Sequence, residues 1–326
     1  MMNNISTIIN VLFVVLACTA CLPTDSPVTP HPRTSTSVEV ELGDTYAMQA
    51  FIDLSSNSIV LSQPIDSWHL SVDCEAPHAV HLNDALIMSA VNTNTTDWTS
   101  VTKKPRSGFM YEPASGATDS LPLREFWQQA NGAGTVFIVH LGIDVQGNDL
   151  GFVKVQAIAS MPHAVFRYGS LDGKLDTTIT LDYDTKYRRV GFNAINHKPV
   201  QVEPASSQWD VLLSRYTYMF HTETGDLPYA VVGALVQQPA VRATRSSTTF
   251  TAAAPSDTTI TPLRTARDAI GHEWKRFDLT SEVYTVDTSA VYIVRDRYRY
   301  VYALRFLDFY NRHGKKGTIT FEHRML

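Results

Sequence analysis

The chain has 326 residues, of which 44% are hydrophobic and 18% charged, and its formal net charge is −5. A chain of this length can form two domains that each bury a core. The small negative charge, with no basic block, argues against a nucleic-acid-binding protein and against a protein held electrostatically on an acidic membrane.

The N-terminal segment predicts export and lipid anchoring. The apolar run Ile5–Ala20 is too short to span a bilayer and ends in small residues, so residues 1–21 are predicted to be a secretory signal. Its end resembles a bacterial lipobox, and the small residues before Cys21 favour Cys21 over Cys18 as the lipidated residue. An ordinary secretory signal stays an alternative. Residues 22–37, rich in Pro, Ser and Thr, are predicted to form an extended tether.

The folded part repeats a pattern of aromatic residues 141 positions further along the chain. The matching residues are Tyr46, Phe51 and Trp68 in the first copy and Tyr187, Phe192 and Trp209 in the second. Each copy of such a repeat is one structural unit. The repeat therefore predicts two related domains in tandem, at residues 38–170 and 177–326.

Both copies show the periodicity of β-strands. Val38–Leu42 alternates apolar and polar residues, and Thr135–Leu141 and Gly151–Ala159 are strong strand signals in the first copy. In the second copy, Trp209–Met219 and Ala290–Arg295 have the same character. No run of about twelve residues has a helical period. The sequence predicts an all-β protein.

The second copy carries motifs in a recognisable order. These are Trp209-Asp210-Val211, Ile270-Gly271-His272-Glu273-Trp274-Lys275, Val291-Tyr292-Ile293-Val294, Phe306-Leu307-Asp308-Phe309-Tyr310 and Gly314-Lys315-Lys316-Gly317-Thr318-Ile319-Thr320-Phe321. Their order and spacing resemble the HmuY-type haem-binding lipoproteins of Bacteroidetes. The first half resembles a diverged copy, in which His69 follows Trp68 where Asp210 follows Trp209.

The resemblance implies a haemophore and not an enzyme. It implies a lipid-anchored protein on the outer membrane or surface of a Gram-negative bacterium, which binds haem and passes it to a TonB-dependent receptor. The family position for one axial histidine corresponds to Leu279. The other family ligand falls within residues 245–264, which contain no His, Met, Cys or Tyr.

Other residues are therefore considered as haem ligands. His221 ends the strand that begins at Trp209, and Met219 lies two residues earlier on the same strand face. His272 lies two residues before Trp274, and Met110 lies in a Gly/Pro/Ser-rich loop of the first copy. Imidazole and thioether groups are both known axial ligands of haem iron.

A separate metal site is a second hypothesis. Cys74, His78 and His81 have the spacing C-x3-H-x2-H and offer soft S and N ligands, which suit zinc, copper or haem iron. In a straight strand His81 would project from the opposite face, so this hypothesis requires a turn, which Pro77 could provide. A third hypothesis is a surface lipoprotein that binds a protein or glycan without haem.

No enzyme motif accompanies these residues. The sequence contains no HExxH, GxSxG, P-loop or GxGxxG pattern.

Overall fold

The computed structural model describes residues 35–130 and 133–326, and nearly every regular element in this part is a β-strand. The predicted all-β fold is confirmed. The signal at residues 1–21, the lipidation site Cys21 and most of the tether lie outside the described residues. In the described part, no helix has the length and apolar character needed to cross a membrane.

Twenty-three strands and three short helical segments make up the described fold. The strands are β1 (Thr36–Glu41), β2 (Met48–Asp53), β3 (Ser58–Pro64), β4 (Leu70–Asp73), β5 (Val80–Leu82), β6 (Ser89–Asn92), β7 (Met110–Tyr111), β8 (Gln129–Ala130), β9 (Ala133–Gly134), β10 (Val136–His140), β11 (Phe152–Ala159), β12 (Ala164–Ser170), β13 (Asp176–Leu181), β14 (Arg189–Asn193), β15 (Lys198–Gln201), β16 (Val211–Thr222), β17 (Gly225–Val236), β18 (Arg242–Ser246), β19 (Lys275–Asp278), β20 (Val283–Val286), β21 (Val291–Arg295), β22 (Val301–Tyr310) and β23 (Lys316–Met325). The helical segments are the 3-10 turns Asp84–Leu86 and Thr118–Ser120 and helix α1 (Asp257–Ile260).

Four of the sheets pair into two sandwiches. The first sandwich has sheets β13-β12-β11-β10-β6-β7 and β15-β14-β4-β5. Apolar residues from both sheets, such as Val72, Phe166 and Phe192, share one buried core. The second sandwich has sheets β1-β23-β22-β21-β18 and β17-β16-β2-β3. Its core includes Ile52, Trp274 and Phe306, and the Trp274 ring stacks on Phe306 at 4.0 Å.

The two copies exchange their first strands. Strands β1–β3 of the first copy pair with the second copy, since β1 lies against β23 and β2 lies against β16. Strands β13–β15 of the second copy pair with the first copy, through β12 and β4. The strand pairing therefore does not follow the expected ranges 38–170 and 177–326. The first sandwich runs from β4 to β15, and the second combines β1–β3 with β16–β23.

Equivalent positions of the two copies nevertheless show the same pattern of burial. In β1, Val38 and Val40 point into a core while Glu39 is exposed, and Ile179 and Leu181 of β13 do the same. Alternation of this kind is what a strand with one buried face requires. Strand β1 begins at Thr36, so the last two residues of the expected tether belong to the sheet.

The residue after each repeat tryptophan binds the backbone of the other copy. Asp210 Oδ2 accepts a hydrogen bond from Leu54 N at 3.0 Å, and His69 Nδ1 accepts one from Ala194 N at 3.3 Å. The replacement of Asp by His therefore preserves an acceptor at this position. The same replacement puts a neutral ring where the second copy has a carboxyl group. The ring is neutral because burial lowers the pKa of His69 to about 4.

The carboxylate of Asp210 is balanced by an arginine. Asp210 is fully buried, and its Oδ2 lies 2.7 Å from Arg297 Nη1. Arg297 also lies 3.1 Å from Asp53 Oδ1. Burial raises the pKa of Asp210 in spite of this partner, which shows how costly the charge is to bury.

Arg297→Ala should lower the free energy of unfolding by about 3–5 kcal/mol, because it leaves the Asp210 carboxylate buried without its cation. Arg299 lies on the same turn and is exposed, so Arg299→Ala is the matched control and should change stability by less than about 0.5 kcal/mol. Denaturant unfolding of both variants makes the comparison. Equal stability of the two variants would refute this role for Arg297.

Two buried histidines should make the fold weaker in mild acid. Burial lowers the pKa of both His69 and His323 to about 4, whereas an unfolded histidine keeps a pKa near 6.5. Between these values the unfolded chain binds protons that the fold does not, so the free energy of unfolding should fall as the pH drops from 7 to 4.5. Denaturant unfolding at pH 7 and at pH 4.5 measures this difference in the free energy of unfolding.

A double variant, His69→Asn with His323→Gln, should reduce this pH dependence, while His163→Gln, at an exposed position, should leave it unchanged. A pH profile that is identical in all three proteins would contradict the assignment.

Candidate functional site

Strands β16 and β17 form the longest hairpin of the described residues, and its outer end is exposed. Residues Val211–Thr217 of β16 are buried, but the outer end of β16 and the start of β17 are exposed. Phe220 is paired with Leu227, and Tyr218 with Tyr229. Directly paired residues project from the same face of an antiparallel hairpin. This face, called here the apolar face, therefore presents these four side chains together.

A second hairpin, β19–β20, runs beside the first. Lys275 Nζ donates a hydrogen bond to the Val232 carbonyl of β17, and this bond ties the two hairpins together. The second hairpin exposes Phe277, Leu279 and Val283, and Leu279 at its tip is 86% exposed. Six of the thirteen exposed large apolar side chains in the described chain lie on these two hairpins. Single exposed apolar residues are normally scattered, so this concentration makes the two hairpins the candidate binding surface.

His272 lies at the base of the apolar face. Its ring is 4.6 Å from the ring of Tyr218 and 6.3 Å from that of Phe220. Burial, reinforced by the Lys275 ammonium, lowers the pKa of His272 to about 4. The imidazole is therefore neutral at physiological pH, which is the form that binds a metal.

The hydroxyl of Tyr216 orients this imidazole. Tyr216 is fully buried, and its hydroxyl oxygen lies 3.0 Å from His272 Nδ1. In the tautomer in which Nδ1–H donates to that oxygen, Nε2 carries a free lone pair. Metal-binding histidines are generally held in this way through their other nitrogen.

Arginines lie on the far side of the same cleft. A cleft of about 340 Å³ contains His272, Tyr218, Arg245 and Arg264. Arg245 lies 3.0 Å from an oxygen of Asp287, while Arg264 is exposed. The cleft thus combines aromatic rings and a neutral imidazole with two guanidinium groups and the carboxyl groups of Asp268 and Glu273. Guanidinium groups bind carboxylates well.

Met219 and His221 lie on the opposite face of the hairpin. Both line a separate cleft of about 300 Å³ between β16 and the loop that begins at Tyr111. His221 is 81% exposed, and its Nδ1 lies 2.7 Å from Asp226 Oδ1. The structure thus places Met219 and His221 on one face, as the strand period predicts, but separates both from His272. Met110 is 47% exposed and does not line either cleft.

Cys74, His78 and His81 do not converge. The described residues contain no group of three His, Cys, Asp or Glu side chains that could hold a metal ion. His78 stacks on Tyr183, with its Nδ1 3.1 Å from the Asp73 carbonyl oxygen, while His81 Nδ1 lies 2.7 Å from Glu112 Oε1. Burial raises the pKa of the Cys74 thiol, which disfavours the thiolate. Each member of the predicted cluster thus has its own structural environment.

Sequence reasoning missed Lys275. Its ammonium lies 4.4 Å from the ring of Trp274 and 4.8 Å from that of Phe309, and burial lowers its pKa to about 7. The sequence shows Lys275 beside Trp274 but does not show that Phe309 and the Val232 carbonyl, which come from distant strands, also surround its ammonium.

Comparison with known proteins identifies the family. The family model described as HmuY protein matches residues 45–323. The chain belongs to the HmuY family. The matched span includes strands of both sandwiches, so the resemblance seen in the second half extends to the first. The comparison with curated proteins finds no match.

Several solved structures are similar to this HmuY-family chain. PinO in its apo form, from Porphyromonas gingivitis, is 10% identical, with 90% of this chain and 97% of that chain covered and a TM-score of 0.31. A protein described as a lipoprotein of Bacteroides fragilis is 12% identical, with 91% and 93% covered and a TM-score of 0.25. A protein described as HmuY-like and haem-binding, from Bacteroides vulgatus, is 12% identical, with 90% and 92% covered and a TM-score of 0.24.

The state of His272 can be measured directly. Its ring should stay neutral from pH 8 to pH 5 and take a proton only near pH 4, because burial disfavours the imidazolium. Nitrogen-15 NMR of the histidine rings, with His272→Gln to assign the signal, follows this titration. A titration midpoint near pH 6.5 would show that the His272 ring is open to water. It would contradict the assignment of a buried, neutral imidazole to this site.

Proposed function

We propose that this protein binds haem, or a related tetrapyrrole, in the cleft beside the β16–β17 and β19–β20 hairpins, with His272 as the iron ligand. The observation that carries the proposal is the position of a neutral, hydrogen-bonded imidazole at the base of the apolar face. Membership of the HmuY family supports it, as does the description of the Bacteroides vulgatus protein as haem-binding.

The residues fit the group on three counts. Haem is a flat apolar macrocycle with a central iron and two carboxylates at one edge. Phe220, Leu227 and Phe277 offer apolar area whose burial contributes about 25 cal/mol per Å². His272 Nε2 offers a nitrogen ligand. Arg264 offers a cation for a carboxylate.

The Met219/His221 cleft is the weaker site for the same ligand. His221 is mostly exposed and its partner Asp226 is exposed too, so no buried group holds its ring.

We also propose that the protein acts as a haemophore and not as an enzyme, anchored through Cys21 and passing haem to a TonB-dependent receptor at the outer membrane or cell surface. Strand β1 begins at Thr36, and Tyr46 follows its other end. Tyr46 packs near Phe309, and Phe309 also contacts Tyr284 of β20. Thr36 and the β19–β20 hairpin therefore lie at opposite ends of β1. A chain tethered before Thr36 would therefore present the cleft to a partner.

Titration with haemin tests the proposal. The protein should give a saturable, sharpened Soret band, and His272→Ala should weaken haemin binding at least tenfold or shift the spectrum to that of an unligated haem. His221→Ala and Met219→Ala change residues of β16 on the face opposite the apolar face, and as matched controls they should bind haemin as the unchanged protein does. Spectra are recorded in the oxidised and reduced states.

Two outcomes would overturn parts of the proposal. Loss of the spectrum in His221→Ala, with His272→Ala unaffected, would move the site to the opposite face of the hairpin. A broad, non-saturating spectrum in the unchanged protein would refute haem binding altogether and leave the apolar face as a surface for a protein or glycan.

A further inference from the structure

A small cavity lies at the junction of the two sandwiches. Its volume is about 30 Å³. Gln49 of β2 and Trp209, just before β16, contribute to its wall from the second sandwich. Glu203, which follows β15, contributes from the first.

Each of these three residues has a buried polar atom without a hydrogen-bond partner among the described residues. The atoms are Gln49 Nε2, Trp209 Nε1 and Glu203 Oε1. The residues are 4%, 5% and 6% exposed, so bulk solvent does not satisfy them. Buried polar groups in proteins are nearly always hydrogen-bonded, and three exceptions in one cavity point to a shared partner.

The chemistry of the three atoms selects the partner. Two of them are N–H donors, and the third is a carboxyl oxygen. A water molecule can accept two hydrogen bonds and donate one, which matches this set. An anion would meet the lone pairs of the Glu203 carboxyl oxygen, and a cation would meet two N–H groups. The volume also suits water, which needs roughly 10–15 Å³ of such space.

The arginines of the cavity wall have partners of their own. Arg189 Nε lies 3.0 Å from Asp73 Oδ1, Arg267 pairs with Asp84, and Arg188 donates to the Gln238 carbonyl. Arg188 Nε also lies 3.8 Å from Asp73 Oδ1, so each of the three guanidinium groups lies beside a carboxyl group. The arginines therefore do not turn the cavity into an anion site.

We propose that a water molecule is bound in this cavity, accepting hydrogen bonds from Gln49 and Trp209 and donating one to Glu203. This water bridges the two sandwiches. It supplies a polar contact at the junction that the side chains do not make directly, and such bridging waters are part of a protein structure.

The Trp209 indole proton provides a direct test in the full protein. With nitrogen-15-labelled tryptophan, this proton should show a cross-peak to a long-lived water, assigned by its loss in Trp209→Phe. Trp127 and Trp274 are internal controls, because their indole groups donate to the carbonyls of His78 and Gly271. Their protons should show no such peak. Absence of the peak at Trp209 would overturn the proposal.

Gln49→Met gives a second, independent measurement. If water is bound, the variant loses the hydrogen bond from Gln49 to that water. The equilibrium constant for unfolding should then rise about fivefold. In a dry cavity the same change removes an unsatisfied amide and should lower that constant. A crystal soaked in bromide tests whether the cavity binds an anion in place of water. Anomalous density in the cavity would identify an anion and contradict bound water.

Discussion

The fold depends on the pairing of strand β1 with strand β23. This pairing joins Thr36–Glu41 to the last strand of the chain and places Val38 and Val40 in the core of the second sandwich. Together with the β2–β16 pairing, it builds the sheet from which the β16–β17 hairpin extends. Residues from the start, middle and end of the chain are therefore all required before the candidate site can form.

The site follows from what this sandwich leaves uncovered. The inner half of the β16–β17 hairpin is buried, whereas its outer half presents Phe220, Leu227 and Tyr229 to solvent. Exposed apolar surface of this extent is costly in water, and a flat apolar ligand would relieve that cost. His272 is neutral because its burial disfavours a charge on the ring. A metal-binding imidazole therefore lies at the base of the exposed apolar surface.

The sequence contained the local part of this description but not the long-range part. Strand alternation correctly predicts an all-β fold and places Met219 and His221 on one face. It does not reveal that β1 pairs with β23, because a strand of one copy can pair equally well with equivalent partners in either copy. For the same reason the sequence does not predict that Tyr218 lies beside His272 or that Phe309 lies beside Lys275, since distant strands supply both rings. Cys74, His78 and His81 are close in sequence, but their side chains have different partners in the structure.

A crystal structure of the protein grown with haemin would test the central claim most directly. The proposal predicts a macrocycle against the apolar face, with its iron within bonding distance, about 2.0–2.1 Å as for other metal–imidazole bonds, of His272 Nε2. A macrocycle on the Met219/His221 face, or crystals with no bound haem at saturating haemin, would contradict it.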